Sequence, residues 1–201
     1  MKIFRNILKA LGVLLLLVII IGIYFLNTLR KSSIPDYNKS IVLSGLTKEV
    51  TILRDTFGIP HIYASNETDL YTATGFAMAQ DRLWQMDLLR RVTQGRLSEI
   101  LGKDQLNTDL LMRALRIQEK SEKISLNLNP EILATLEAFS EGVNQYMEDY
   151  PLPPEFKILG YKPESWEPVH SINLIGYMSW DLSMGWGTEY FLHQLRTEIS
   201  D

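Results

Sequence analysis

The stretch GFAMAQDRLWQMD, residues 75–87, decides the fold of this chain. Its apolar side chains surround almost the whole circumference of a helix, and Gln80, Asp81, Arg82 and Gln85 interrupt them in the middle. A helix that is apolar on every side is normally buried, and charges on such a helix are costly unless they are paired. The stretch therefore predicts a helix inside a larger protein, with Asp81 and Arg82 in a buried or half-buried network of charge pairs.

The residues before this helix predict a β-hairpin. Residues 50–53 (VTIL) have strand composition, residues 57–60 (FGIP) form a turn, and residues 61–64 (HIYA) resume an extended path. We expect Arg54 and Asp55 to fix this hairpin. A lone hairpin does not form an independent sheet, so the pattern predicts that further polypeptide completes it.

Helical patterns fill most of the remaining sequence. Ser65 or Asn66 can cap a helix over residues 67–92, and Asn129-Pro130-Glu131 is a good start for another. The other predicted segments are a short helical piece between Gly95 and Gly102, a helix over 108–126, a loop over 150–168, a helix from Pro168 through Met178, and a further turn from Glu189 after a break at Gly185 and Gly187. The fold class is therefore α+β, a mainly helical fragment with an N-terminal hairpin. Because the helical pattern continues through Ser200-Asp201, we expect an N-terminal portion of a longer polypeptide.

Bulk composition excludes several functions. The 201 residues include no cysteine, which excludes a disulfide framework, a thiolate metal site and a cysteine nucleophile. The net charge is −4, without the clustered basic residues that a nucleic-acid partner requires. No Gly-x-Ser-x-Gly or phosphate-binding Gly-Lys-Ser/Thr motif occurs.

An apolar segment without charges runs from Ala10 to Leu26. As a helix it spans roughly 26 Å, close to the hydrocarbon thickness of a bilayer. Bulky residues and the absence of Ala-x-Ala after it favour an uncleaved signal anchor over a cleaved signal peptide, and a buried core helix is the third alternative. The positive N-terminal flank predicts a cytoplasmic N-terminus and an extracytoplasmic soluble part. We assign residues 1–31 to the anchor and 32–48 to a tether.

Five separated motifs give this chain a family resemblance. In order they are RDTFGIPHIYA (54–64), AQDRLWQM (79–86), TQG (93–95), Gly102 and WEP (166–168). Together these motifs resemble the penicillin acylase (penicillin amidase) family from about Val50 to Leu195, within a portion that we place at residues 49–201.

The resemblance implies an N-terminal-nucleophile hydrolase with a four-layer α-β-β-α fold. Members are made as precursors that cut themselves into a small α chain and a larger β chain, and they cleave N-acyl amides. The nucleophile is the serine that begins the β chain, and its α-amino group is the base. This chain resembles the α portion, so no catalytic residue is expected in it. The implied partners are the β portion, a small N-acyl amide and, through residues 10–26, a lipid bilayer; no organic cofactor is expected.

Three residues near the predicted last helix are candidates for substrate binding. Met178 and Leu182 lie four apart on one helix face, and the resemblance places them at positions that line the acyl pocket; ordinary core packing is the alternative. Asp181 stands where penicillin-processing members have an arginine, so it should disfavour an anionic leaving group by like-charge repulsion. The alternative for Asp181 is a solvated helix charge.

Two further residues follow from the resemblance. Glu189 matches a glutamate that helps to hold a structural calcium, although a lone glutamate is otherwise a surface residue; the other oxygen ligands would come from the β chain. His170 replaces an acidic helix cap that is common in the family, which predicts a weaker cap.

Two functions remain at this stage. The first is the α portion of a membrane-anchored amidohydrolase that is inactive alone, with β-lactams, acyl homoserine lactones and other N-acyl amides all open as substrates. The alternative is a non-catalytic anchored helical domain that keeps the α scaffold.

Overall fold

The computed structural model describes residues 2–32, 35–183 and 185–199. Its elements follow in the order α1 (Lys2–Ser32), β1 (Thr51–Arg54), β2 (Pro60–Tyr63), α2 (Glu67–Gln94), α3 (Ser98–Leu101), α4 (Leu106–Leu115), α5 (Ile117–Ser125), α6 (Pro130–Asp149), α7 (Pro154–Leu159), α8 (Pro168–Leu182) and α9 (Trp186–Ile199). A 3₁₀ turn, Lys103–Gln105, precedes α4. Residues 33 and 34 of the predicted tether and the predicted continuation through Ser200-Asp201 lie outside the described residues.

The predicted hairpin is confirmed. β1 and β2 pair antiparallel, with Thr51 opposite Tyr63 and Arg54 opposite Pro60. In the turn, Oδ1 of Asp55 accepts hydrogen bonds from the backbone N–H groups of Phe57 and Ile59, both at 2.9 Å. Asp55 therefore fixes the hairpin as expected.

The core lies where α2 and α6 cross at close range. A Cβ added at Gly75 would stand 2.0 Å from the backbone oxygen of Phe139, and one added at Gly142 would stand 1.9 Å from that of Thr72. Only glycine permits this approach at both positions. Around the crossing, the buried cluster consists of Phe76, Ala79, Leu83, Met86, Val143, Tyr146, Phe156 and Trp166.

The segment before the hairpin, residues 35–50, has no helix or strand. It is hydrogen-bonded to α2 and α6 at three points. Its Tyr37 hydroxyl donates to Asp81 Oδ1 at 3.2 Å, and Gln145 bonds both backbone groups of Ser44. Thr47 donates from its backbone N–H to Asp69, whose own N–H donates to the α2 cap Asn66. This segment therefore lies against α2 and α6 along most of its length.

The single helix predicted over residues 108–126 is wrong. Arg116 takes a left-handed conformation (φ 57°) and separates α4 from α5. The change of direction buries Ile117 against α8, where its Cγ2 would stand 3.0 Å from a Cβ at Gly176. Tertiary packing therefore overrides a helical pattern that looks continuous in the sequence.

Two other predicted boundaries change. The predicted 150–168 loop contains α7, which begins after Pro153, buries Phe156 and ends at Gly160 in a left-handed conformation (φ 71°). The last helix begins at Trp186, so Gly187 lies inside α9 and not in a break. The helix predicted over 67–92 is confirmed as α2, which extends to Gln94 and kinks at Arg82 (φ −143°, ψ 20°).

Helix α1 contains a stretch, Phe4–Thr28, that is long and apolar enough to cross a membrane and is not buried against the rest of the chain. The described residues therefore give no support to the alternative of a buried core helix. The length and apolar composition of α1 agree with those that a membrane anchor requires.

Candidate functional site

The candidate substrate-binding residues lie on α8, whose beginning is held firmly. Trp166 is buried, and its N–H donates to Asn144 Oδ1 at 2.7 Å while Asn144 Nδ2 donates to the Trp166 carbonyl at 3.0 Å. The indole N–H of Trp166 donates to Ser171 Oγ at 3.1 Å. These contacts fix where α8 starts relative to α6.

The helix cap of α8 differs from the expectation. Glu167 is the cap residue, and its backbone N–H donates to Nδ1 of His170, three positions on, at 2.9 Å. His170 thus closes the reciprocal half of a capping box from the third helical position, so its predicted placement at the cap itself is wrong, while the weaker cap stays a prediction. Burial, and then the charge of Arg90, lower the pKa of His170 to about 4, which keeps the imidazole neutral and able to accept this bond.

The two faces of α8 differ sharply. Ile172 and Asn173 are buried, and Asn173 Nδ2 donates to Gln118 on α5. On the other side, Ile175, Met178 and Leu182 are 67%, 57% and 79% exposed. The structure therefore brings Met178 and Leu182 onto one apolar face, which is open to solvent in the described chain, so neither side chain belongs to the core of the described residues.

Asp181 and Glu189 are both exposed. Across residues 2–32, 35–183 and 185–199, the Asp181 carboxylate has no hydrogen bond or ion pair, and no group of three or more acidic or histidine side chains could hold a metal ion. Glu189 lies in the first turn of α9, beside a groove that Leu192, His193 and Arg196 also line. A calcium ion at Glu189 would therefore require most of its ligands from elsewhere.

The pairing predicted for Asp81 is found, but its partner is Arg54 and not Arg82. Arg54 Nη1 lies 2.7 Å from Asp81 Oδ2 and also donates to the Gly58 carbonyl, while Nη2 donates to Gln80 Oε1 at 3.0 Å. Arg82 is exposed at the kink of α2. These contacts join the hairpin to α2. The motif at residues 75–87 therefore has a structural role.

Sequence reasoning missed a buried charged cluster beneath α8. Asp87 accepts hydrogen bonds from Arg90 Nη2, from Arg91 Nε at 3.0 Å and from the Tyr161 hydroxyl at 2.8 Å. Burial, followed by the Asp87 carboxylate, raises the pKa of Tyr161. The four-residue spacing of Asp87 and Arg91 was a readable signal, but nothing in the sequence connects Arg90 or Tyr161 to it.

The cluster also positions the entry to α8. Arg90 Nη1 donates to the carbonyls of Glu164 and Ser165 at 2.9 and 3.1 Å, directly before Trp166. At the surface, Arg96 bonds both Glu99 and Glu164, and the bond from Arg96 lowers the pKa of Glu164 to about 2. Each carboxylate is occupied by a cation, so the cluster offers no free acid or base for chemistry.

Comparison with known proteins places this architecture in one class. The sequence profile described as penicillin amidase matches residues 49–201. The chain belongs to the penicillin amidase family.

The individual relatives that the chain is similar to are named as acylases. The chain is 42% identical over 143 residues to the penicillin acylase 2 proenzyme of Pseudomonas sp. (strain SE83), which covers 71% of the chain and 18% of that protein. It is 35% identical over 128 residues to penicillin G acylase of Escherichia coli, covering 61% of the chain and 15% of that protein. It is 32% identical over 160 residues to the acyl-homoserine lactone acylase QuiP of Pseudomonas syringae pv. syringae (strain B728a), covering 79% of the chain and 19% of that protein. The chain therefore spans less than a fifth of the length of these relatives.

A solved structure has a similar fold. The thermostable penicillin G acylase from Alcaligenes faecalis superposes with a TM-score of 0.60 at 26% identity, covering 67% of this chain and 74% of the solved chain. The mainly helical architecture with one hairpin thus agrees with that protein.

Proposed function

We propose that this chain is the α portion of a membrane-anchored, penicillin-acylase-like amidohydrolase that cleaves N-acyl carboxamide bonds. The observation that carries the proposal is the family match over residues 49–201. The coverage figures support the α assignment, because the match takes in 74% of the solved chain but only 18% of the proenzyme from Pseudomonas sp.. The solved acylase therefore contains a chain close in length to this one.

In this proposal the chemistry lies on the β portion, within the four-layer α-β-β-α fold. A serine hydroxyl is a weak nucleophile until a base takes its proton, and an α-amine, with a pKa near ~8, can do so at neutral pH. The released serine attacks the amide carbonyl, and backbone or side-chain donors stabilise the oxyanion. Residues 1–201 supply scaffold and one pocket wall, so this portion alone is expected to be inactive.

The exposed face of α8 is the proposed pocket wall. Met178 and Leu182 would contact the acyl group, since both are apolar, adjacent and uncovered in this chain. Met adapts its shape readily to different apolar ligands. The relatives' names give two substrate classes, penicillins and acyl homoserine lactones, and both are N-acyl amides.

Asp181 would set the charge preference at this wall. Its carboxylate, which has no hydrogen bond or ion pair to the described residues, supports a pocket that disfavours an anionic leaving group. Exchange of Asp181 for Arg in the processed enzyme should raise kcat/KM for anionic N-acyl amides relative to neutral ones. An unchanged ratio would remove Asp181 from the site.

Glu189 is the proposed contribution of this chain to a structural calcium site. Ca²⁺ takes six to eight oxygen ligands, so the site would form only with the β portion. Addition of EDTA should lower the melting temperature of the assembled enzyme, and Glu189→Gln should reduce that effect. An EDTA effect that is the same in both proteins would argue against Glu189 as a ligand.

Anchoring through residues 10–26 would hold the soluble part outside the cytoplasm. The protein is then expected to stay with the membrane fraction after alkaline carbonate washing, and a version starting at residue 35 should become soluble. Release of the unaltered protein by carbonate would contradict the anchor.

The test of the main proposal is the gene and its product. A small residue followed by Ser, then a long β-rich segment, is expected after Asp201, and mass spectrometry of the purified protein should show two chains. A single unprocessed chain without activity on N-acyl substrates would instead favour the non-catalytic anchored domain.

A further inference from the structure

The outer edge of β1 borders a cavity that no other part of the proposed function uses. The cavity has a volume of about 360 Å³ and lies between β1, helix α2 and the segment before the hairpin. β1 contributes Ile52 and Arg54, α2 contributes Phe76, and the segment contributes Ser40 and Ile41. We call this cavity the β1 slot.

The ladder shows which backbone groups face the slot. Pro60 has no N–H, so its pair with Arg54 does not exchange ladder hydrogen bonds. Such pairs alternate along an antiparallel ladder, so Leu53 and His61 form a hydrogen-bonded pair and Ile52 and Ile62 do not. The N–H and C=O of Ile52 therefore point away from β2, toward the side on which the slot lies.

The hairpin is also uncovered on its outer face. Leu53 and Tyr63, which alternate with the half-buried Ile52 and Ile62, are exposed, and so are Phe57 and Ile59 in and after the turn. A two-stranded hairpin is marginal by itself, and an open strand edge with apolar neighbours is a template for another strand.

We propose that the β1 slot receives an extended strand from the polypeptide that follows the matched region, and that this strand pairs with β1 through the backbone of Ile52. The inference rests on the proposed function, because the partner is the β portion. The relatives supply the necessary length, since the match covers only 15–19% of them. A strand with apolar side chains at every second position fits, because it would continue the half-buried face formed by Ile52 and Ile62.

Site-specific cross-linking can test the slot, because the chain contains no cysteine and one introduced thiol is unique. Ser40 lines the slot and is exposed, so Ser40→Cys tolerates a benzophenone maleimide label. Val42 lies two residues on, is 95% exposed and does not line the slot, which makes Val42→Cys the matched control. Both variants are made in the full-length gene product.

After irradiation of the labelled Ser40→Cys protein, peptide mass spectrometry should find position 40 joined to one segment of the following polypeptide. The labelled Val42→Cys protein should give a several-fold lower yield of this product. In the assembled full-length protein, hydrogen exchange at the Ile52 amide should be slow, as expected for an amide that is paired in a sheet. Products confined to residues 35–54, products with a second copy of this chain, or equal yields from the two positions would overturn the proposal.

The same experiment separates this inference from the proposed function. If the following polypeptide co-purifies but neither reacts with the label at position 40 nor protects Ile52, the slot assignment is wrong and the proposed function stands. If no following polypeptide exists, both are overturned.

Discussion

At the residue scale, His170 shows how burial converts a titratable side chain into a fixed structural acceptor. Its Nδ1 takes the Glu167 N–H at the start of α8, a role that only the neutral ring can fill. The sequence located His170 near a helix start, but the resemblance placed it at the cap itself, whereas the cap residue is Glu167. The hydrogen bond depends on a ring orientation that packing against Trp166 sets.

The stability of the protein should therefore depend on pH through His170. Its pKa is about 4 when folded, against ~6.5 when unfolded, so the unfolded chain binds more protons between these values. The contribution of His170 to the free energy of unfolding is fully present above pH 6.5 and is lost as the pH drops toward 4, by about 3 kcal/mol in full.

Urea unfolding of the detergent-solubilised chain at pH 7 and pH 4.5 measures this fall. His170→Gln keeps an acceptor at the same cap position but cannot titrate, so its stability should change less over the same range. Equal pH dependence in the two proteins would show that His170 is not responsible.

Asp87 gives a second prediction at this scale. Asp87→Asn leaves Arg90 buried without a carboxylate and leaves Arg91 only the partly exposed Glu99, which should destabilise the protein by about 3–5 kcal/mol. The matched control is Glu99→Gln, because Glu99 also bonds Arg91 but has a 45% exposed side chain. Thermal unfolding should show that Glu99→Gln lowers the free energy of unfolding by less than about 1 kcal/mol. Similar losses of stability in the two variants would contradict a buried cluster centred on Asp87.

At the element scale, the crossing of α2 and α6 depends on two glycines that the helical pattern alone does not single out. Because an added Cβ would overlap backbone atoms at each position, Gly75→Ala and Gly142→Ala should force the helices apart despite the better helix propensity of Ala. Overpacking of this kind costs about 1–3 kcal/mol or more.

The melting temperature measures that cost, at roughly 2–4 °C for each kcal/mol in a chain of this size. Gly187→Ala is the control, since Gly187 lies within α9 and a Cβ there meets nothing within 4 Å. It should leave the melting temperature unchanged or slightly raised, and equal effects at all three glycines would refute the close crossing.

At the scale of the whole molecule, substitutions at the exposed apolar residues of α8 should affect the activity of the whole enzyme without affecting the stability of this chain. Met178→Glu and Leu182→Glu should change the stability of residues 1–201 by no more than about 0.5 kcal/mol, because both side chains are open to solvent. In the processed enzyme of the proposed function, the same variants should lower kcat/KM for N-acyl amides several-fold, since in the proposed pocket they would place a charge against the acyl group.

Ile172→Glu is the matched control from the buried face of α8, and it should destabilise the chain alone. Strong destabilisation of residues 1–201 by Met178→Glu would instead place that face in the core and contradict the pocket assignment.

Local sequence patterns were sufficient to predict much of the secondary structure of this protein. The hairpin and the helix starts at Ser65 or Asn66 and at Asn129 could be predicted from the sequence, because turn chemistry and capping act over a few neighbouring residues; of the two cap candidates, the structure has Asn66. The sequence also placed Met178 and Leu182 on one helix face, since helical spacing is enough to predict that.

Features that depend on distant contacts became visible only in the folded chain. The break at Arg116, the partner of Asp81, the Asp87 cluster and the role of His170 each join residues that are remote in sequence or depend on how buried a group is. A break within a helical pattern or a buried ion pair is stable only when particular neighbours pack against it, and one-dimensional spacing does not specify those neighbours.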